Sequence, residues 1–241
     1  LKKVIAYSKS PEGISFYKEG EYIKYNGLKV FPYDFEKNYK EDNIKVSFFE
    51  NYPFINYFGK SLYFPNDYSV EKCKKYCNDL LMEQDKDSPH NYSSPLFSIE
   101  KTDIIVDIGC AEGNFSLEYI DKVNEAFLFE LDSKWKTPLE LTFAPWKDKV
   151  HFSFSRLRKP EDLESIIGTN SLISKNLVFK IDVDGSEREI LSLLEPIIPN
   201  LGSIKVAICT YHQASDASDF EKWFLNHGFK TEFSSNFMLF Y

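Results

Sequence analysis

Residues 103–114, with the sequence DIIVDIGCAEGN, constrain the fold more than any other part of the chain. They begin with a continuous apolar run, which is typical of a strand covered on both faces of a parallel sheet. Gly109 and Gly113 follow, and glycine takes the backbone angles that a tight strand-to-helix turn needs. Asp107 stands at the carboxyl end of the strand. In open α/β sheets, ligands bind beyond this end, at the point where the strand order reverses.

The acidic side chains of this turn bear on the kind of ligand. Gly109 and Gly113, with Ala111 between them, do not fit the GxGxxG spacing of dinucleotide-binding loops. Asp107 and Glu112 would repel a diphosphate that relies on the N–H groups of a helix start. S-adenosylmethionine carries a sulfonium and an ammonium group and no phosphate, so its charge suits an acidic loop. The alternative is that the two carboxylates only cap the following helix.

A second acidic strand end supports the cofactor interpretation. Residues 126–131, AFLFEL, are an apolar run that carries one charge, Glu130, near its carboxyl end. A carboxylate is a paired acceptor and vicinal ribose hydroxyls are paired donors, and this acid stands about twenty residues after the glycine loop. Residues 115–123, between the two, are predicted to form a short helix. Glu130 is therefore predicted to bind a ribose.

The remainder of the chain continues this alternation of strands and helices. Further strands are predicted at residues 150–154, 177–183 and 204–209, and further helices at residues 132–145, 160–167, 186–194 and 216–226. The alternating pattern of the last residues, 229–241, predicts an antiparallel hairpin that turns near Ser235 and Asn236. The pattern favours a Rossmann-like, seven-stranded α/β sandwich that is mostly parallel.

Residues 1–98 have a different residue pattern from the rest of the chain. They are expected to form a subdomain separate from a cofactor-binding domain at residues 99–241. Residues 13–33 alternate apolar and polar positions, with glycines at turn-like intervals, which predicts short β-hairpins. A helix is predicted at residues 70–82. The aromatic residues between 48 and 64 have two interpretations. They form the core of a small β-subdomain, or they stack on sugar rings or line a homodimer interface.

The composition of the chain bears on which classes of binding partner it is expected to have. The formal net charge is −8, from 29 basic and 37 acidic residues, so the chain lacks the basic footprint of nucleic-acid binding. There is no run of eighteen apolar residues and no signal-peptide core, which predicts no membrane span and a cytoplasmic location. The spacing of the cysteines fits neither a zinc site nor a redox pair, which indicates thiols in a reducing compartment: Cys73, Cys77, Cys110 and Cys209.

Polar side chains cluster after the fourth and fifth predicted strands. Asp182, Asp184 and Glu187 follow one strand, and Tyr211 and His212 follow the next. In a sheet of this topology the two strand ends are neighbours beside the glycine loop. A hydroxyl that accepts a methyl group must lose a proton, and His212, Asp182 or Asp184 is a candidate base. Two aspartates and the histidine would alternatively hold a divalent metal, and a structural role for His212 is equally open.

Several motifs in consistent order resemble the FkbM-type S-adenosylmethionine-dependent methyltransferases. They are VDIGCAEGNFSL, FLFELD, FAPWKDKV, FKIDVDGSEREIL and AICTYHQ, together with SPHNY. The resemblance covers about residues 88–241. It implies O-methyl transfer to the hydroxyl of a sugar or a related molecule, and therefore a small-molecule or glycan acceptor. The first 98 residues contain no motif that identifies this acceptor.

The resemblance also implies roles for individual residues. Glu130 would bind the ribose, and Tyr92, Leu131 and Asp182 are further predicted cofactor contacts. Tyr211 is predicted to belong to the catalytic group because it adjoins His212 after the fifth strand. Asp184 stands where the family often has glutamate, and its shorter side chain weakens the case for a direct role. The methionine part would lie against the glycine loop, formed by Asp107, Gly109, Cys110, Ala111, Glu112, Gly113 and Asn114.

Two other classes of function fit parts of the pattern. A cofactor-bound scaffold or a sugar-binding module without methyl transfer would keep the loop and lack a working acceptor site. A nicotinamide-dependent reductase would need a phosphate-binding glycine that this loop lacks.

Overall fold

The computed structural model describes residues 1–11, 14–94, 96–168, 175–236 and 238. The chain divides into two compact units. One contains Leu1–Ile44, Lys74–Tyr92 and Glu232–Tyr241, and the other contains Lys45–Cys73 and Ser93–Thr231. These units do not coincide with the boundary expected after residue 98, because residues 45–73 group with the parallel sheet. The binding or dimerising role expected of residues 1–98 stays a prediction.

The described strands form two sheets. A three-stranded antiparallel sheet contains β1 (Val46–Phe49), β2 (Tyr52–Tyr57) and β3 (Lys60–Tyr63). A five-stranded sheet has the order β6-β5-β4-β7-β8, with every pair parallel. Its strands are β4 (Asp103–Ile108), β5 (Glu125–Phe129), β6 (Val150–Ser153), β7 (Asn176–Ile181) and β8 (Ile204–Ile208). All six residues of β4 are buried, as expected for a central parallel strand. The strand order reverses between β4 and β7.

Eight α-helices lie in the described part of the chain: α1 (Lys2–Tyr7), α2 (Tyr17–Asn26), α3 (Val70–Glu83), α4 (Asn114–Tyr119), α5 (Lys136–Thr142), α6 (Pro160–Ile167), α7 (Glu187–Leu194) and α8 (Asp216–Asn226). The apolar residues of α7 explain its position, because Ile190, Leu191 and Leu194 recur on one helical face and join the core of the parallel sheet. Pro160 opens α6, where its missing N–H costs nothing.

The β-hairpins predicted for residues 13–33 are wrong. Residues 14–33 contain no strand, and Tyr17–Asn26 form α2. Gly20 and Ile23 are its buried residues and stand three apart, on one helical face. A Cβ atom on Gly20 would lie 1.8 Å from the Oγ atom of Ser8, so this glycine allows a close approach of two segments and does not mark a turn.

The predicted C-terminal hairpin is not observed. Residues 229–236 are described and contain no strand, whereas residues 237 and 239–241, in its second arm, lie outside the described residues. The described part of the parallel sheet therefore has five strands, where seven were expected. Phe229 packs against the core of this sheet, with its ring 5.2 Å from that of Phe224. Tertiary packing and not strand pairing thus accounts for its apolar character.

The antiparallel sheet packs against the helices of the parallel sheet, within the same compact unit. Leu62 and Phe64 are fully buried, and the ring of Phe64 lies 6.5 Å from that of Trp135. The ammonium group of Lys60 donates to the carbonyl of Leu117, within α4, over 2.9 Å. The antiparallel sheet therefore belongs to the same compact unit as the parallel sheet.

The aromatic residues of the antiparallel sheet and its turns differ in burial. Tyr57 is 2% exposed, whereas Phe48, Phe49 and Phe58 are between 49% and 72% exposed. The buried members match the interpretation as a core. Sugar stacking or homodimer formation by the exposed members stays a prediction.

Two further observations concern the chain as a whole. No helix in the described ranges has the length and apolar character needed to cross a membrane. All four cysteines are described, and each is a buried thiol outside any disulfide. Burial raises the pKa of the Cys73 thiol to about 11, so this thiol stays protonated and unreactive at neutral pH.

Candidate active site

The candidate site lies where the parallel strands end. The hydrogen-bond ladder continues beyond the strands: the N–H of Gly109 donates to Phe129 over 2.9 Å, that of Asp182 to Ile108 over 3.0 Å, and that of Cys209 to Ile181 over 3.1 Å. The segments after β4, β5, β7 and β8 therefore start side by side at the carboxyl edge. The predicted adjacency of these strand ends is confirmed.

The two glycines of the loop both occupy positions that exclude a side chain. Gly109 has a φ of 77°, and a Cβ atom there would lie 1.8 Å from the carbonyl oxygen of Asp182. Gly113 has a φ of 81° and precedes α4, where a Cβ atom would lie 2.7 Å from the ring of Phe143. Only glycine combines such angles with so close an approach. The tight strand-to-helix turn predicted from the sequence is therefore present.

Asp107 is buried and its charge is compensated. Its Oδ2 atom accepts a 2.7 Å hydrogen bond from Ser116, and its Oδ1 atom lies 3.4 Å from the ammonium nitrogen of Lys180. The same ammonium group donates to the carbonyl of Gly109 over 2.6 Å. Burial alone lowers the pKa of Lys180, but the carboxylates of Asp107 and Asp182 raise it above its ordinary value. Lys180 is thus a buried cation, and Asp107 supports the loop.

Glu130 lies beside the glycine loop and is fixed by it. Its Oε2 atom accepts from the N–H of Ala111 over 2.9 Å, and its Oε1 atom accepts from that of Asp132 over 2.7 Å. Each carboxylate oxygen keeps further acceptor capacity, because a carboxylate offers about four lone-pair sites. Leu131 is 63% exposed. The sequence pattern predicts that Glu130 stands at the end of the strand, as observed, but does not predict its bonds to the loop. Its contact with ribose stays a prediction.

The backbone of Cys110 is engaged within the loop. Its N–H donates to Phe129 over 3.1 Å, and its carbonyl accepts from Gly113 over 2.7 Å. Burial, followed by the charge of Asp107, raises the pKa of its thiol well above the ordinary value. Glu112 and Asn114 are buried in the same turn. The cofactor contacts predicted for these residues stay predictions.

The capping alternative for Asp107 does not describe its bonds. Gly113 is the N-cap of α4 and makes no side-chain capping bond. Asp107 instead accepts from the hydroxyl of Ser116 and faces Lys180, so its described partners are side chains and not N–H groups of the helix.

A second group of side chains follows β7 and β8. Donor atoms of Asp182, Glu187 and His212 all lie within 4.8 Å of one another. The Nδ1 atom of His212 lies 3.0 Å from the Oε1 atom of Glu187, and both side chains are largely buried, at 8% and 1% exposed. The hydroxyl of Tyr211 donates to the carboxylate of Asp182 over 3.4 Å. We call Asp182, Glu187 and His212 the acid–histidine cluster.

Glu187 occupies the position in this cluster that the sequence assigned to Asp184. The Asp184 side chain is fully exposed, and its Oδ1 atom lies 3.7 Å from the Nε2 atom of His212. Asp184 and Gly185 both have positive φ and form the turn before α7. The Oε1 atom of Glu187 accepts from the N–H groups of Val183 and Gly185 at 3.0 and 3.3 Å. The signal in the sequence that could have identified Glu187 is an acid two residues after an Asp-Gly turn.

The loop that carries Tyr211 and His212 is anchored to α7. Arg188 forms an ion pair with the buried Asp216 and bonds Asp219 over 2.7 Å. The other carboxylate oxygen of Asp216 accepts from the N–H of Gln213 over 2.6 Å. Because Arg188 adjoins Glu187 in the helix, these bonds fix the loop relative to the acid–histidine cluster. Tyr92 belongs to the other compact unit, and its predicted cofactor contact stays a prediction.

Comparisons with known proteins give similarities at low identity. No protein-family profile matches the chain, and no curated protein matches it. A precorrin-8W decarboxylase structure from Methanobacterium thermoautotrophicum is 21% identical with a TM-score of 0.39, over 54% of this chain and 66% of that chain. A methyltransferase FkbM structure from Methylobacillus flagellatus is 19% identical with a TM-score of 0.44, over 68% of this chain and 49% of that one.

A precorrin-6Y C5,15-methyltransferase structure from Geobacter metallireducens is 12% identical with a TM-score of 0.40, over 56% of this chain and 75% of that chain. Methyltransferases are therefore among the solved structures that this chain is similar to. The chain spans about two thirds of the matched decarboxylase and about half of the matched FkbM structure.

Proposed function

We propose that this chain is an S-adenosylmethionine-dependent methyltransferase whose acceptor is a hydroxyl group of a carbohydrate or a related small molecule. The observation that carries the proposal is the bond between Glu130 and the N–H of Ala111 in the glycine loop. It joins a paired acceptor to a tight loop beyond the central strand, beside the reversal of strand order, where open α/β sheets bind nucleosides.

The charges around the loop fit a cationic, phosphate-free cofactor. Lys180, the buried cation, is directed to Asp107 and to the carbonyl of Gly109. Glu112 and Glu130 add two further carboxylates. A diphosphate against this loop would meet these negative charges, whereas a sulfonium or ammonium group would be attracted to them. When bound, the cofactor supplies an electrophilic methyl group.

The acid–histidine cluster supports the assignment of a hydroxyl acceptor. His212 and Asp182 are each able to take the proton that the hydroxyl loses. The hydroxyl of Tyr211 lies 3.4 Å from Asp182, and His212 stands in the loop that is anchored to α7. Glu187 and His212 are largely buried, so little water reaches these two side chains.

The finer points of the proposal have separate support. The motif resemblance supports a sugar-like acceptor, and the exposed aromatic rings of β1 suit sugar stacking. The net charge of −8 supports a small molecule or glycan over nucleic acid. Four buried cysteines, none of them in a disulfide, support a reducing compartment such as the cytoplasm.

The first test changes the ribose-binding acid. We expect Glu130→Gln to weaken S-adenosylmethionine binding by about 10- to 100-fold, because a charged acceptor of hydrogen bonds is lost, at about 1.5–3 kcal/mol. Isothermal titration measures this directly. Glu125→Gln is the matched control, because Glu125 stands at the opposite end of β5 and is expected to leave the affinity unchanged.

Two results would contradict the proposal: no binding heat with the unchanged protein, or equal affinity in Glu130→Gln. NADH fluorescence tests the reductase alternative on the same samples. Cofactor binding without transfer of a labelled methyl group to any sugar or extract component would favour the scaffold alternative.

A further inference from the structure

We infer that the acid–histidine cluster is a binding site for a divalent cation of the Mg²⁺ or Mn²⁺ class. Its members are two carboxylates and one imidazole, drawn from three places in the sequence: Asp182 after β7, Glu187 at the start of α7 and His212 after β8. Carboxylate oxygens suit this class of cation, and they outnumber the single imidazole nitrogen in the cluster. The binding itself does not depend on the proposed function, but the role of the cation does.

The distances suit one small cation. With metal–ligand bonds of about 2.1 Å, adjacent ligands of an octahedral ion lie about 3 Å apart and opposite ligands about 4.2 Å apart. The Glu187–His212 contact is 3.0 Å, and every pair of donor atoms in the cluster lies within 4.8 Å. Small side-chain rotations therefore bring all three groups into contact with one ion.

The charge and burial of the cluster also favour a dication. Glu187 is 1% exposed, and a buried carboxylate needs a compensating partner. Among the described residues, Arg188 binds Asp216, and Lys180 bonds the carbonyl of Gly109 and lies against Asp107, although its charge also acts on Asp182. The two carboxylates of the cluster carry a formal charge of −2, which one divalent ion neutralises.

The surroundings fix the ligands before any ion arrives. Two backbone N–H groups orient the carboxylate of Glu187, and the hydroxyl of Tyr211 lies 3.4 Å from the carboxylate of Asp182. Such outer hydrogen bonds are typical of metal sites, where they set the direction of the ligating atoms.

The site has a consequence for the acceptor. Three protein ligands leave positions open on an octahedral ion, and an acceptor hydroxyl bound there becomes more acidic. His212 and Asp182 then act as ligands and not as bases, and the proton that the hydroxyl loses passes to solvent water. A pair of neighbouring oxygens, such as a vicinal diol, would fill two open positions. This part of the inference rests on the proposed function, and it favours acceptors that contain such a pair.

The test is direct binding of Mn²⁺ to the full chain. Binding is measured as the loss of the free-ion signal in electron paramagnetic resonance. We expect saturable binding of one equivalent, at least tenfold weaker binding in Glu187→Gln, and less than a twofold change in Glu189→Gln. Glu189 is the matched control, because it stands in the same helix but is 61% exposed and bonds Arg156. The amide introduced by Glu187→Gln keeps an oxygen that can accept from the two N–H groups.

Absence of saturable Mn²⁺ binding, or equal binding by the unchanged protein and Glu187→Gln, would overturn the inference. Asp182→Asn provides a second variant if circular dichroism shows that Glu187→Gln is unfolded. Titration of the same samples with S-adenosylmethionine separates the two proposals. Mn²⁺ binding without cofactor binding would contradict the methyltransferase and leave the cation site intact.

Discussion

Replacement of Lys180 by methionine is expected to lower the free energy of unfolding by about 3–5 kcal/mol, the usual cost of breaking a buried ion pair. The ammonium group compensates Asp107, which is fully buried, and donates to the carbonyl of Gly109. Methionine fills a similar volume but leaves the carboxylate without its counter-charge. The loss therefore reports electrostatics and not packing.

Urea unfolding followed by tryptophan fluorescence measures this change. The three tryptophans all lie in the unit that contains the parallel sheet: Trp135, Trp146 and Trp223. Lys134→Met is the matched control, since its ion pair with Asp132 is exposed and such pairs contribute about 0–1 kcal/mol. Adding Asp107→Asn to Lys180→Met is expected to recover part of the loss. A cost below that of the control would contradict the buried ion pair.

The same lysine predicts a dependence on alkaline pH. Burial lowers the pKa of Lys180, but the carboxylates raise it by more than burial lowers it. The pKa in the folded state therefore lies above the ordinary value of 10.5. The folded state then holds the proton more tightly than the unfolded chain. The stabilisation is complete below about pH 10 and is lost as the pH rises through the folded pKa. Lys180→Met is expected to remove this part of the alkaline destabilisation.

Replacement of Gly109 by alanine is the second change with a large expected effect. A φ of 77° costs a non-glycine residue about 1–2 kcal/mol. A Cβ atom 1.8 Å from the carbonyl oxygen of Asp182 adds an overpacking cost of about 1–3 kcal/mol, because backbone cannot rotate away. We expect a total loss of about 2–5 kcal/mol and no measurable binding of S-adenosylmethionine.

Gly59→Ala separates the two causes. Gly59 has a φ of 86°, and nothing lies within 4 Å of the position of its Cβ atom, so only the backbone cost of about 1–2 kcal/mol applies. Thermal unfolding and cofactor titration of both variants give the comparison. If Gly109→Ala were no less stable than Gly59→Ala and bound the cofactor normally, the tight approach of the loop to Asp182 would be wrong.

The order of the parallel elements was predictable because long apolar runs and glycine turns have few alternatives. The segment before Gly109 is such a run. The α2 region was not predictable in the same way, because its tyrosines and isoleucine have high strand propensity. Its Gly20 serves close packing, which depends on a residue far from it in the sequence, Ser8. Phe229 was misassigned for a similar reason, since its partner is the core and not a strand.

The candidate site shows the same division. The pattern alone predicts that Glu130 and Asp182 stand at the ends of strands, as observed, while their roles stay predictions. Partners supplied across the fold were missed, as with Lys180, although a single charge inside the apolar run LVFKIDV signals a buried partner. The pattern favours the exposed Asp184 over the buried Glu187, because the sequence does not show which of two nearby acids a turn directs inward.

The packing of β1–β3 bears on where the protein can be divided. Tyr63 donates its N–H to the hydroxyl of Thr142 over 3.0 Å, while Leu62 and Phe64 are fully buried. A shortened protein that started at residue 99 would lose these contacts and expose Trp135 to water. Laboratory versions of the parallel-sheet unit should therefore retain residues 45–73, so that a failure to bind ligand is not mistaken for a property of the intact fold.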